Sequence, residues 1–161
     1  MLSELLELKT IAPRLKAKTK EDALKELVDI LGAAGKITDR AEALRAIRER
    51  EELMTTGIGL GIALPHGKTP AASELVAAFG RSAEGIDFRS LDGKPAQIFF
   101  ILLSPPDCTG PHVRALASIS RLLKDKAFRD KLLKLETPEE ILAAIKTEEE
   151  RHDLRKPEAC R

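Results

Sequence analysis

A chain of 161 residues, 43% hydrophobic and 33% charged, is long enough for one domain with its own apolar core, and a second domain is not expected. A net charge of +1, no Trp or Tyr and only five Phe argue against a basic nucleic-acid surface, a base-stacking platform or attraction to an anionic membrane. The two cysteines, Cys108 and Cys160, make no disulfide framework and fit a reducing compartment, while the absence of a span-length apolar run and of a signal-like start at Met1–Leu5 predicts a cytoplasmic protein without membrane insertion.

The first fifteen residues are apolar and broken at Pro13, and Leu5, Leu8 and Ile11 suit a short strand or turn. Thr19 caps a helix with Glu21 and Asp22 in its first turn, Leu24, Leu27, Val28 and Leu31 at helical spacing, and Gly35 to end it. Asp39 opens a second helix, with Glu42 in capping-box position and Leu44, Ile47 and Leu53 on the apolar face. Its charged run, Arg45 to Glu52, reads by itself as a solvated face, Arg50 included.

Residues 57 to 64 form a strand with glycine at 57, 59 and 61 and apolar side chains between them. One face of such a strand is bare backbone, which marks close approach by another chain segment or a ligand. Pro65 discourages further pairing, and His66 and Gly67 follow at once. Leu75–Phe79 is a second strand, Ser82–Lys94 a loop and hairpin region with an Asp92-Gly93 turn, and Gln97–Leu103 a central strand buried on both faces. Pro111 takes the first position of a helix that places His112 in its first turn and continues through Val113, Leu116, Ala117, Ile119 and Leu123. A short helix ends near Leu133, and Thr137-Pro138-Glu139-Glu140 opens the last one, with a charged tail fraying from Glu148 to Arg161. Helices alternating with strands predict an α/β layer architecture.

The end of a strand is where α/β folds gather their chemistry. There His66, a neutral nucleophile at neutral pH, suits phosphoryl transfer, which needs in-line positioning and charge stabilisation more than covalent help. Arg50 offers a permanent cation with a phosphate-matched fork, and His112, 46 residues after His66, combines an imidazole with the positive end of a helix. Gly67 and the glycine strand leave amides open, and Thr56 offers a hydroxyl. Against these stand plainer readings: His112 pointing to water, the Thr56 hydroxyl bonded to backbone, Lys68 solvated and Cys108 a loop thiol.

Arg50-Glu51 followed by Thr55-Thr56-Gly57-Ile58-Gly59-Leu60-Gly61-Ile62-Ala63-Leu64-Pro65-His66 resembles the active-site signature of the phosphotransferase-system EIIA domains of the fructose/mannitol type, a group that includes the nitrogen-regulatory EIIA proteins. Leu64 stands where Ile is usual, and Gly110-Pro111-His112-Val113 matches the family's second histidine, with Val113 where Leu is commoner. The resemblance implies a mixed sheet of about five strands with helices on both faces, in an EIIA type-2 domain over residues 1–147 ahead of the tail at 148–161. It implies a phosphocarrier holding the phosphoryl group on His66, at Nε2, with His112 and Arg50 in the site and Thr56 and Gly67 around the phosphate. The donor is HPr or a paralogue, no cofactor or metal takes part, and the partner downstream is an EIIB or a regulatory target protein. The free-standing, short chain favours the nitrogen-regulatory branch, with a stand-alone fructose/mannitol-type sugar EIIA as the alternative. A zinc site from His66, His112 and Cys108 or His152 lacks the paired spacings of structural zinc, and Gly57, Gly59 and Gly61 do not make a dinucleotide fingerprint.

Overall fold

The apolar run Ile98–Leu103 is the axis of the molecule, every side chain in it being at most 1% exposed. The structure, a computed structural model, describes residues 2–152. The run lies in β6 (Ala96–Ser104), which pairs antiparallel along one edge with β5 (Val76–Ile86), Phe79 facing Phe100. Along the other edge lie β3 (Ile62–Ala63) and then β4 (His66–Lys68), both parallel to β6, with Ile62 opposite Ile98 and His66 opposite Leu102. The outer strands are β1 (Ile11–Ala12), parallel to β5, and β2 (Gly57–Gly59), antiparallel to β3, giving among the described residues a mixed sheet of six strands, two long and four short.

Alternation along β6 divides the core in two. Ile98, Phe100 and Leu102 pack with Phe79 against α3 (Thr109–Leu122), α4 (Lys126–Leu132) and α5 (Pro138–His152), through Ile119, Leu122, Phe128, Leu132, Ile141 and Ile145. Phe99, Ile101 and Leu103 face the other way, onto Leu24, Leu27 and Val28 of α1 (Lys20–Ala33) and Ile47 of α2 (Arg40–Leu53). Edge-to-face ring pairs, Phe79–Phe100 at 5.1 Å and Phe88–Phe99 at 5.7 Å, set the two layers. Helices on both faces of a mixed sheet are the expected architecture. The caps hold as well: Thr19 accepts from the Asp22 N–H, Asp39 from the Glu42 N–H and Thr137 from the Glu140 N–H, and Gly35 takes a left-handed φ of 72° after α1.

The glycine run is not one strand. Leu60 and Gly61 both take positive φ, 59° and 76°, as a two-residue hairpin turn requires, so β2 folds back on β3. The Asp92 carboxylate accepts from the Leu60 N–H at 3.1 Å and steadies that turn. Gly57 is needed for close approach, because a Cβ there would sit 2.4 Å from the Ser90 hydroxyl oxygen.

β5 likewise runs through Gly80-Arg81 to Ile86, where a loop from Ser82 was expected. The reason is Arg81, a buried cation that donates to Pro13 O at 3.0 Å and Leu132 O at 2.7 Å, and to Leu135 O, tying the strand to the end of α4. Burial holds its pKa below the usual arginine value.

α3 begins at Thr109, two residues before Pro111, whose missing N–H still falls in the unpaired first turn. α5 continues to His152, so fraying from Glu148 is corrected: Glu149 is fully buried and accepts from the Ser3 N–H at 2.7 Å and from the Leu2 N–H. The tail from residue 153 lies outside the described residues. Leu53, read onto the apolar face of its helix, is 83% exposed, and Val113 on α3 is 57% exposed. Cys108 is disulfide-bonded rather than a loop thiol, and it is buried just ahead of α3. Counting cysteines could not reveal this, because pairing depends on which backbones meet; Cys160 lies outside the described residues.

Candidate functional site

β3 and β4 are successive pieces of one line along β6, parted by Leu64-Pro65. Pro65 has no N–H, so pairing lapses there, yet its carbonyl still accepts from the Leu102 N–H at 3.0 Å. His66 therefore opens a new strand rather than following the end of one. Its Nδ1 lies 2.8 Å from the Leu64 carbonyl oxygen. A carbonyl only accepts, so Nδ1 carries the hydrogen and Nε2 keeps its lone pair. Burial and the Arg50 charge push the His66 pKa down, outweighing the Leu64 carbonyl and the Glu51 charge, which pull it up. The ring is neutral at neutral pH, as a nucleophile must be.

His112 stands beside it, with ring centroids 5.5 Å apart and planes at 61°. It is buried in the first turn of α3, at the positive end of the helix dipole. Its Nδ1 lies 2.6 Å from the Ser104 hydroxyl oxygen, at the end of β6. Burial, with help from His66 and Lys68, pushes its pKa down to about 4. The reading of His112 as a helix residue pointing to water is thereby corrected. Lys68 reaches across to the Thr109 hydroxyl at 2.5 Å, fastening β4 to the start of α3 while remaining exposed.

Arg50 lies in the last turn of α2 and donates to Met54 O at 2.9 Å. Its charge acts on the His66 ring, so the two share one electrostatic environment. Thr56 is buried, and both of its donors are taken by Glu51: N–H to Oε1 at 2.7 Å and hydroxyl to Oε2 at 2.6 Å. Gly67 faces α2, where a Cβ would lie 3.3 Å from the Ala46 carbonyl, so close helix packing favours glycine there. The structure thus joins His66, His112 and Arg50, while Thr56 and Gly67 have structural work beside them.

Two side chains gain a place that the sequence reading did not assign. Ser104 directly follows the apolar run that ends at Leu103, and Glu51 was read only as half of the Arg-Glu pair. A signal for Glu51 existed: it falls four residues after Ile47 and eight after Ala43, on the inward stripe of α2, where a carboxylate needs a reason. His152, weighed and set aside as a zinc ligand beside the other two histidines, pairs with Glu148 at 2.8 Å on α5. Among the described residues, the one group of such side chains close enough to share a cation is Asp125, Glu148 and His152, with Arg151 already paired to both carboxylates.

A lone-pair nitrogen fixed in direction, a neutral imidazole beside it and a guanidinium nearby suit capture of an anionic electrophile. Comparison with known proteins points the same way. A model of the family described as "Phosphoenolpyruvate-dependent sugar phosphotransferase system, EIIA 2" matches residues 4–148. The chain is 42% identical over 147 residues to the PTS system fructose-specific EIIA component of Haloferax volcanii, covering 89% of this chain and 96% of that one. It is 38% identical over 133 residues to the nitrogen regulatory protein of Bradyrhizobium diazoefficiens, covering 81% and 85%. The crystal structure of nitrogen regulatory protein IIA-Ntr from Neisseria meningitidis superposes with a TM-score of 0.83 at 30% identity, over 89% of this chain and 98% of that one.

Proposed function

The chain belongs to the EIIA type-2 family of the phosphoenolpyruvate-dependent sugar phosphotransferase system, and on that premise we propose that it is a phosphocarrier whose acceptor atom is Nε2 of His66. The observation that carries this reading is the Nδ1 bond to the Leu64 carbonyl, which leaves Nε2 unprotonated beside the His112 ring. The phosphoryl group leaves a phosphohistidine on HPr or a paralogue: the donor's N–P bond breaks as the bond to His66 Nε2 forms. Delivery reverses the roles, the N–P bond on His66 breaking as the acceptor's nucleophile takes the group. No step requires His66 to exchange its Nδ1 proton, and no metal or cofactor is invoked. Arg50 and His112 share the charge on the equatorial oxygens. Leu53, Met54 and Val113, left exposed beside Arg50 and His112, offer apolar contact to the docking partner.

The partner downstream is an EIIB of a fructose-type sugar system. A free-standing chain had favoured the nitrogen-regulatory branch, in which partner proteins are bound according to phosphorylation state. The Haloferax relative weakens that argument, since a sugar component of nearly this length is the more similar of the two relatives. The regulatory reading stands second, supported by the 38% identical relative. Either role places the protein in the cytoplasm with its donor. A disulfide is uncommon there outside hyperthermophiles and redox enzymes, so that placement rests on the donor alone.

Incubation with phosphoenolpyruvate, the first enzyme of the system and HPr should give one acid-labile, base-stable phosphate per chain. Transfer onward to a fructose-type EIIB supports the sugar branch. A partner captured only in one phosphorylation state, with no such transfer, supports regulation. No uptake of phosphate would overturn both.

A further inference from the structure

Lys20 and Glu51 are charged residues on helix ends that do not favour them. Lys20 is the first residue of α1, at the positive end of that dipole, and Glu51 lies in the last turn of α2, at the negative end. They meet at 2.9 Å, with the Lys20 and Glu51 side chains 21% and 5% exposed. The ammonium also donates to Phe88 O at 3.2 Å and sits 4.6 Å from the centre of the Phe88 ring. Burying a carboxylate needs compensation on both oxygens, and Glu51 has it: Oε1 accepts from Lys20 and the Thr56 N–H, Oε2 from the Thr56 hydroxyl.

The contacts do not stop at Thr56. Its carbonyl accepts from the Leu64 N–H at 3.0 Å, and the Leu64 carbonyl accepts from His66 Nδ1 at 2.8 Å. An unbroken line of hydrogen bonds thus runs from the α1 ammonium to the imidazole. We propose that Lys20 and Glu51 are a positioning pair for phosphoryl transfer: Glu51 anchors Thr56, Thr56 anchors Leu64, and the Leu64 carbonyl holds the ring of His66 with Nε2 aimed at the incoming group. The proposal rests on His66 being the acceptor. The Glu51 charge also reaches the ring and opposes Arg50, so the pair tunes as well as aims. Glu51 touches no reacting atom; it acts through Thr56 and Leu64, and its loss misplaces the nucleophile rather than removing it.

The test reads the ring directly. In unphosphorylated protein with ¹⁵N-labelled histidine, His66 should show Nδ1–H and an unprotonated Nε2. Glu51→Ala should bring in the other tautomer and slow transfer from phospho-HPr about tenfold to a hundredfold in kcat, the cost of a small misplacement, with KM for the donor within about threefold because docking is untouched. Glu51→Gln should recover part of the rate, and Lys20→Met should fall between. Lys36→Met, which breaks a more exposed lysine–glutamate pair with Glu7 away from the site, should leave the His66 signals unmoved. Unchanged ring nitrogens and unchanged kcat in both Glu51→Ala and Lys20→Met would overturn the proposal and leave the pair structural. If Glu51→Ala does not fold, Lys20→Met decides alone by the same signals. If wild-type His66 takes no phosphate, the functional reading fails, and the ring signals still judge the positioning pair.

Discussion

The two imidazoles at the site are held in different ways. His66 on β4 hangs by Nδ1 from a backbone carbonyl, which can only accept. His112 on α3 meets, also by Nδ1, a serine hydroxyl that can accept or donate by turning its hydrogen. The first arrangement locks one tautomer, and the second permits two. In the proposed role as nucleophile, His66 gains from a locked tautomer, because its lone pair always points where a phosphoryl group would arrive. A neighbour that must serve an empty site and a phosphorylated one gains from a ring whose Nε2 switches between acceptor and hydrogen donor.

Several changes break or sharpen this contrast. The largest effect is expected from His66→Ala, which should abolish phosphate uptake from the radiolabelled donor cascade, whereas labelling retained on the variant would move the acceptor elsewhere. His112→Ala should stay folded and take up phosphate about a hundredfold to a thousandfold more slowly, the usual loss when one preorganised donor is removed. Stopped-flow transfer kinetics give this number, and a wild-type rate would leave the contrast without function. Ser104→Ala tests the permissive side: it should free the His112 tautomer in nitrogen NMR spectra, leave His66 unchanged and slow transfer only about threefold to tenfold, the worth of one hydrogen bond at most.

A separate effect, on folding rather than transfer, is expected in acid stability. His112 has a folded pKa of about 4, below its unfolded value of about 6.5. Between those values the unfolded chain binds more protons, so stability falls as pH falls. This contribution is complete above about pH 6.5 and disappears progressively toward pH 4. The depressed pKa of His66 acts in the same direction. Calorimetry should show His112→Asn losing less melting temperature than wild type on acidification from pH 7 to about 4.5; an equal loss would place the acid sensitivity on other groups.

The reading of the sequence went furthest where one physical effect dominates. The run at 97–103 has no polar interruption after Gln97, and burial on both faces follows from that alone. Thr19, Asp39 and Thr137 were legible as caps because their hydrogen bonds are local. His66, His112 and Arg50 could be named from motif and helix-start chemistry. Contacts between distant segments were not legible. Arg81 lay beyond the expected strand end at Phe79, since nothing in the sequence announces three carbonyls from Pro13, Leu132 and Leu135 converging on it. The glycine run was read by period-two alternation, and the left-handed φ at Leu60, a residue that rarely adopts it, turned the strand into a hairpin. Leu53 followed helical spacing onto the apolar face, but α2 ends there and Met54 turns away.

Because β4 is laid along the most deeply buried strand, the nitrogen proposed as acceptor is mounted on the best-packed part of the scaffold. The amide of Leu102, bonded to the carbonyl just before His66, should be among the last to exchange its hydrogen with solvent, whereas amides around Leu60 and Leu91 should exchange early. A visiting protein therefore meets a target that is already organised, and whatever ordering recognition demands falls on the exposed apolar margin and on the visitor itself.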